Sequence, residues 1–145
     1  MKEFLLAEKI EQWAHDNKLQ NIHTECNYQL NIEDAHKISL FDIVIFADAS
    51  KENIEGYSYT TLEPSAKTNF TMHAVSPSFI LYLCNQIYGN KPSSYLLHIK
   101  GFDWQFMQEI SEGAKTNLDH AISFLKTRLI EYNKNTCQQC KVYPL

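Results

Sequence analysis

The sequence has little glycine, little proline and almost no arginine, and none of its apolar runs is long. Four glycines and four prolines among 145 residues exclude a collagen-like repeat and a low-complexity chain. Its only arginine is Arg128, and with the lysines spread along the chain and a formal net charge of −4, nucleic acid and anionic membranes are not expected partners. The apolar run at positions 43–47 is strand-sized, far below the roughly 18–20 residues that span a bilayer.

Several familiar sequence signals are missing as well. The motifs Gly-x-Gly-x-x-Gly, Gly-x-x-x-x-Gly-Lys-Ser/Thr and Gly-x-Ser-x-Gly do not occur, so nucleotide binding and serine-hydrolase chemistry have no motif support. The first nine residues carry acidic side chains where a signal peptide has a basic start and an apolar stretch. We therefore expect a cytoplasmic protein whose four cysteines are free thiols.

Alternating helical and strand patterns predict one α/β domain. Hydrophobic residues make up 44% of the chain, and a domain of this length buries roughly 68–70% of its unfolded surface. The patterns indicate a three-layer α/β/α domain with a mostly parallel, twisted sheet over residues 1–132, followed by a polar, loosely ordered tail at 133–145. Predicted helices lie near 1–16, 32–40, 77–88 and 111–132, and predicted strands near 21–27, 41–47, 57–62 and 95–99.

Asp48 and His73 are the candidate site residues. Asp48 follows the most apolar strand, and ligands of open parallel sheets bind beyond the carboxyl ends of the strands. His73 lies three residues before Ser76, which is predicted to cap a helix at that same edge. A carboxylate and an imidazole suit a divalent cation such as nickel or zinc, although a third protein ligand is normally needed. The alternatives are a capping role for Asp48 and a solvated loop position for His73.

The remaining chemical signals are weaker. Cys137-Gln138-Gln139-Cys140 is a single Cys-x-x-Cys on the polar tail, where neither a second zinc-binding pair nor a helix N-terminus accompanies it. His98 lies within a predicted strand and is interpreted as a core residue. His15, His23, His36 and His120 fall in polar, surface-like contexts.

Three segments resemble the nickel-iron hydrogenase maturation proteases. They are Tyr-Gln-Leu-Asn-Ile-Glu at 28–33, Asp-Ile-Val-Ile-Phe-Ala-Asp-Ala at 42–49, and His-Ala-Val-Ser-Pro at 73–77 before a helix that ends at Tyr88-Gly89. Their order and spacing follow the family pattern over roughly residues 4–129. The resemblance implies a metal-responsive endopeptidase that removes a C-terminal extension from the hydrogenase large-subunit precursor once nickel has been inserted.

The resemblance also implies which residues act. Asp48 matches the second aspartate of the family and His73 its histidine, so both are expected to be catalytic residues and metal ligands. Nickel enters mainly as part of the substrate, and another divalent metal would fit the same donors. Glu33 is a further candidate at the substrate rim.

The sequence departs from the family pattern at its start. Family members begin with a strand, a Gly-x-Gly-Asn turn and an acidic pair that supplies the first metal ligand, and here the first helix begins at Met1. A late recorded start is one explanation. A sheet that lacks an interior strand is the other. It predicts impaired proteolysis and unpaired strand edges, unless a second chain, as in a homodimer, or a rearrangement fills the gap. The alternative function is a non-catalytic binding protein or chaperone for a hydrogenase subunit.

Overall fold

The protein has an α/β fold built on a five-stranded sheet. The computed structural model describes residues 2–25, 30–50, 56–66, 75–100, 112–135 and 138–144. In chain order the elements are α1 (Lys2–Asp16), β1 (Ile22–Thr24), α2 (Asp34–Ile38), β2 (Ile43–Ser50), β3 (Tyr57–Thr61), α3 (Pro77–Tyr88), β4 (Ser93–Lys100), α4 (Glu112–Asn135) and β5 (Cys140–Pro144).

The strands are ordered β1-β5-β2-β4-β3 across the sheet. β1, β5, β2 and β4 are mutually parallel, and β3 is antiparallel to β4 at one edge. The predicted mostly parallel sheet is therefore confirmed, with the apolar strand β2 at its centre. The run of β-branched residues in β2 suits this place because a central parallel strand is covered on both faces.

The expectation of a loosely ordered tail is wrong for the last described residues. β5 lies inside the sheet, paired with β1 on one side and β2 on the other. Val142 and Tyr143 are fully buried. The start of β5 is also fixed, because the Gln139 carbonyl accepts hydrogen bonds from the backbone N–H groups of Asp42 and Ile43 at 2.9 and 3.1 Å.

β5 also removes the reason for expecting a gap in the sheet. The sequence predicted unpaired edges in the interior, with a second copy of the chain as one way to cover them. In the structure the chain fills the place between β1 and β2 with its own strand. No partner is needed to complete the described part of the sheet.

Helices cover both faces of the sheet, as the three-layer prediction requires. Odd-numbered residues of β2 pack with α1 and α4, while the even-numbered Val44 and Phe46 pack with α2 and α3. The 24-residue α4 carries a buried stripe of leucine, isoleucine and alanine against the first of these faces. None of the helices in the described part of the chain has the length and apolar character to span a bilayer.

The helix α3 begins as its sequence predicts. The Ser76 hydroxyl accepts a hydrogen bond from the Phe79 N–H at 3.2 Å, Pro77 occupies the first turn, and Gly89 ends the helix with a left-handed φ of 67°. The side-chain amide of Asn90 donates to the Ser39 carbonyl, just before β2. The end of α3 therefore lies where β2 and β4 begin, and its start lies toward their carboxyl ends.

Replacement of Val142 tests whether β5 belongs to the core. Val142→Ala should lower the free energy of unfolding by about 2 kcal/mol, because it removes two buried methyl groups and leaves a cavity. Chemical denaturation measures the change. Val44→Ala in β2 is the matched control, since both valines have no exposed surface. A loss near zero for Val142→Ala alone would contradict the placement of β5.

Candidate functional site

Asp48 lies near the carboxyl end of the central strand, as the sequence predicts. The strand extends three residues further than expected, to Ser50, so Asp48 is a strand residue. Its side chain is half-buried. It follows Val44 and Phe46 in the alternation of β2, and so it lies on the face covered by α2 and α3.

Two polar residues from the neighbouring strands lie in the same row as Asp48. Asp48 pairs with His98 of β4, and His98 pairs with Ser58 of β3. Leu97 and Ile99 pack on the α1 and α4 face, so the alternation of β4 places His98 on the same face as Asp48. The row of Asp48, His98 and Ser58 is half-buried throughout.

His73, the second candidate ligand, lies outside the described residues. The nearest described feature is the start of α3 at Pro77. Val75 and Ile80 pack in the cluster on the α2 and α3 face. The segment after His73 therefore enters the face that carries Asp48, at the carboxyl ends of β2 and β4. Direct ligation by His73 stays a prediction.

Glu33, the candidate at the substrate rim, is exposed immediately before α2. Its backbone N–H donates to the Asn31 side chain at 3.1 Å. α2 leads within a few residues into the start of β2, so its own first residue lies toward the carboxyl edge of the sheet. The structure is thus compatible with a place for Glu33 on the rim, and a role in substrate binding stays a prediction.

A partly buried charge network lies on the same face of the sheet, around Tyr143, the β5 partner of Phe46. We call its five side chains the Glu25 network: Glu25, Asp34, Lys37, Lys141 and Tyr143. The Tyr143 hydroxyl donates to the Asp34 carboxylate at 2.6 Å, and the backbone N–H of Asn31 donates to its other oxygen at 2.9 Å. Asp34 is 1% exposed and pays for its burial through these bonds.

Glu25 is held by two ammonium groups. Its two oxygens lie 2.7 Å from Lys37 Nζ and 3.1 Å from Lys141 Nζ. Burial by itself raises the pKa of Glu25, but the hydrogen bonds from both lysines outweigh it and lower the pKa to about 2. Burial and the hydrogen bond to Asp34 raise the pKa of Tyr143. The network therefore joins β5 to α2 and to the end of β1.

The Glu25 network does not supply the first acidic ligand that the resemblance leaves missing. Both oxygens of Glu25 bind lysines, and both oxygens of Asp34 accept hydrogen bonds within the fold. Releasing either carboxylate to a metal would leave buried ammonium or hydroxyl groups without a partner. Among the described residues, no three His, Cys, Asp or Glu side chains are grouped closely enough to hold a metal ion.

Two other histidines line a different concavity. His15 and His23 border a cavity of about 590 Å³ between α1 and the β1 edge, together with Lys18 and Lys141. His23 is already hydrogen-bonded to the Gln139 side chain at 3.0 Å. One carboxylate, that of Glu11, also lines the cavity, and among the described residues these histidines belong to no group of three possible metal ligands.

The second cysteine of the Cys-x-x-Cys segment, Cys140, is part of the core of the sheet. Cys140 is fully buried as the first residue of β5, and its thiol is free. Burial raises the pKa of Cys140 to about 11, with a smaller contribution from the charge of Asp42. A buried thiol of this kind is unreactive. Cys137 lies outside the described residues, and Cys84 is a second buried free thiol.

Sequence reasoning did not place His98 beside Asp48. A histidine inside an apolar strand resembles a core residue, and nothing in the local pattern shows which residue of β2 lies beside it. The available signal was position: Asp48 and His98 both come late in apolar strands, and the carboxyl ends of parallel strands share one edge.

Comparisons with models of protein families, with curated proteins and with solved structures give no match for this chain.

Removal of the Tyr143 hydroxyl tests the Glu25 network. Tyr143→Phe should lower the free energy of unfolding by about 1–3 kcal/mol, because a buried carboxylate oxygen of Asp34 loses its donor. Urea denaturation measures the loss. Tyr88→Phe is the control, since Tyr88 is 45% exposed and surface changes cost within about 0.5 kcal/mol. Equal effects of the two variants would contradict the assigned bond.

Acid should weaken the same network. The pKa of Glu25 is about 2 in the folded protein against an ordinary value of 4.5. The folded state therefore gains stability from ionised Glu25 above about pH 4.5 and loses that gain as the pH falls toward 2. The stability difference between the natural chain and Glu25→Gln, followed by urea denaturation, should shrink across this range. A difference that stays constant with pH would rule out this contribution.

Proposed function

We propose that this chain is a metal-responsive endopeptidase of the hydrogenase maturation protease type. It removes a C-terminal extension from the large subunit of a nickel-iron hydrogenase after nickel insertion. The observation that carries the proposal is the place of Asp48. The aspartate that matches the family motif is half-buried near the carboxyl end of the central parallel strand, on the face where α3 begins.

The arrangement suits recognition of a metal carried by the substrate. Asp48 lies two residues after Phe46, on the sheet face where Phe46, Ile80 and Leu81 form an apolar cluster. A low-dielectric surrounding of this kind strengthens the attraction between a carboxylate and a divalent cation. Nickel bound there would polarise the scissile carbonyl or lower the pKa of an attacking water.

Contacts between β2 and β5 hold the backbone that carries Asp48 in a fixed position. Phe46 stacks on Tyr143 with ring centroids 5.7 Å apart, and Tyr143 is tied to Asp34. These contacts fix β2 against β5 directly before Asp48. A carboxylate that must meet a metal held by another protein benefits from such a fixed backbone, because less freedom is lost on binding.

Cleavage of a nickel-loaded precursor tests the proposal. The full chain should shorten the nickel-loaded large-subunit precursor and leave the nickel-free precursor intact, as read by mass spectrometry. Asp48→Asn should lower the rate by at least about 100-fold, as expected for loss of a metal ligand.

Asp119→Asn is the matched control for this experiment. Asp119 is an exposed aspartate of α4 whose side chain lies 3.5 Å from Lys9, on the opposite face of the sheet. It should leave the cleavage rate unchanged. Cleavage that ignores nickel, or that survives Asp48→Asn, would contradict the proposal. Tight binding of the precursor without cleavage would favour the non-catalytic binding protein.

A further inference from the structure

The register of β2 and β4 brings a second metal-binding side chain beside Asp48. Asp48 and His98 are direct partners along the parallel pair, and neighbouring strands lie about 4.8 Å apart. Both residues lie on the face covered by α2 and α3. A carboxylate and an imidazole that start this close, on one face, can reach a single cation at the usual distances of about 2.0–2.2 Å.

The surroundings of His98 leave its imidazole available. It is half-buried, and within the described ranges no side chain or backbone group forms a hydrogen bond or ion pair with it. Described neighbours on its face are the apolar Leu96, the hydroxyl-bearing Ser58 and Thr60, and Lys100, which lies two residues further along β4 and carries a positive charge. The row of Asp48, His98 and Ser58 itself contains no cation, and Lys100 has an interaction of its own.

The lysines of the nearby network do not change this conclusion. Lys37 and Lys141 both bind Glu25, at 2.7 and 3.1 Å, and Lys141 also lies over the rings of Phe41 and Tyr143. Glu25 and Asp34 together offset these two charges on the β1 and β5 side of the sheet, whereas His98 lies on the β4 side of Asp48.

We propose that Asp48 and His98 together chelate a borderline divalent cation, with Ni²⁺ as the ion of interest. The proposal rests on the proposed function for the identity of the metal. It adds to that function a protein ligand that no motif of the family resemblance supplies. A carboxylate oxygen and an imidazole nitrogen suit nickel and zinc, and a cation shared between them leaves coordination positions open for groups of the substrate.

Titration with Ni²⁺ alone tests this pair in the full chain without a histidine tag. Isothermal titration calorimetry at neutral pH should show that His98→Gln and Asp48→Asn each weaken Ni²⁺ binding by at least about tenfold. The double variant should be little weaker than either single variant, because the two side chains serve one site. Co²⁺ absorption gives a second readout, and its visible bands should change when the imidazole is lost.

A matched variant distinguishes loss of the proposed ligand from loss of any histidine. His120→Gln removes an exposed imidazole from α4, on the other face of the sheet, and should leave the Ni²⁺ affinity unchanged. Thermal unfolding of every variant shows whether the fold is kept. Rescue by His98→Cys, which restores a metal-binding side chain, would support ligation over a purely structural role.

The outcomes distinguish this inference from the proposed function. If Asp48→Asn weakens Ni²⁺ binding and a folded His98→Gln does not, the paired site is overturned and the protease proposal stands. If both variants weaken binding but precursor cleavage ignores nickel, the paired site stands and the protease proposal is overturned. Unchanged Ni²⁺ affinity in both variants overturns the pair.

Discussion

The structure depends on the backbone pairing of β5. Interior strands must satisfy the N–H and C=O groups on both of their edges, and β5 does this for β1 and for β2 at once. Without it, the central strand β2 would present an open edge next to the most apolar residues of the fold. The five residues from Cys140 to Pro144 thus determine whether the two halves of the sheet form one surface.

The Glu25 network is the side-chain counterpart of that pairing. Tyr143 and Lys141 project from β5 toward α2 and the end of β1, where they meet Asp34 and Glu25. Buried charges rarely add net stability, but a fully paired set favours one arrangement over others. Here it favours the register in which Tyr143 stacks on Phe46, and that register fixes the strand that carries Asp48.

Local signals in the sequence were sufficient for much of the fold. The cap at Ser76, the glycine at the end of α3 and the β-branched run of β2 act within a few residues, so they can be read without tertiary knowledge. β5 could not be found in this way. Its apolar residues are interrupted by Lys141, and polar residues precede it in the sequence. The burial of the strand therefore comes from partners far away in the chain. The same holds for the candidate site. The position of Asp48 can be predicted from the apolar strand before it, whereas the proximity of His98 to Asp48 depends on the register of β2 and β4, which only the fold defines.

The position of β5 has a consequence for how the chain folds. The four earlier strands and the first three helices leave the ribosome before the residues that join β1 to β2. The sheet can close only after α4 has been made, through contacts between residues about 100 positions apart in the sequence. Such long-range pairing forms slowly, because the chain loses the entropy of loop closure before the new contacts stabilise it. Until that closure, the exposed edges of β1 and β2 are open to strands of other nascent chains, and a chaperone that shields them would be most valuable in this interval.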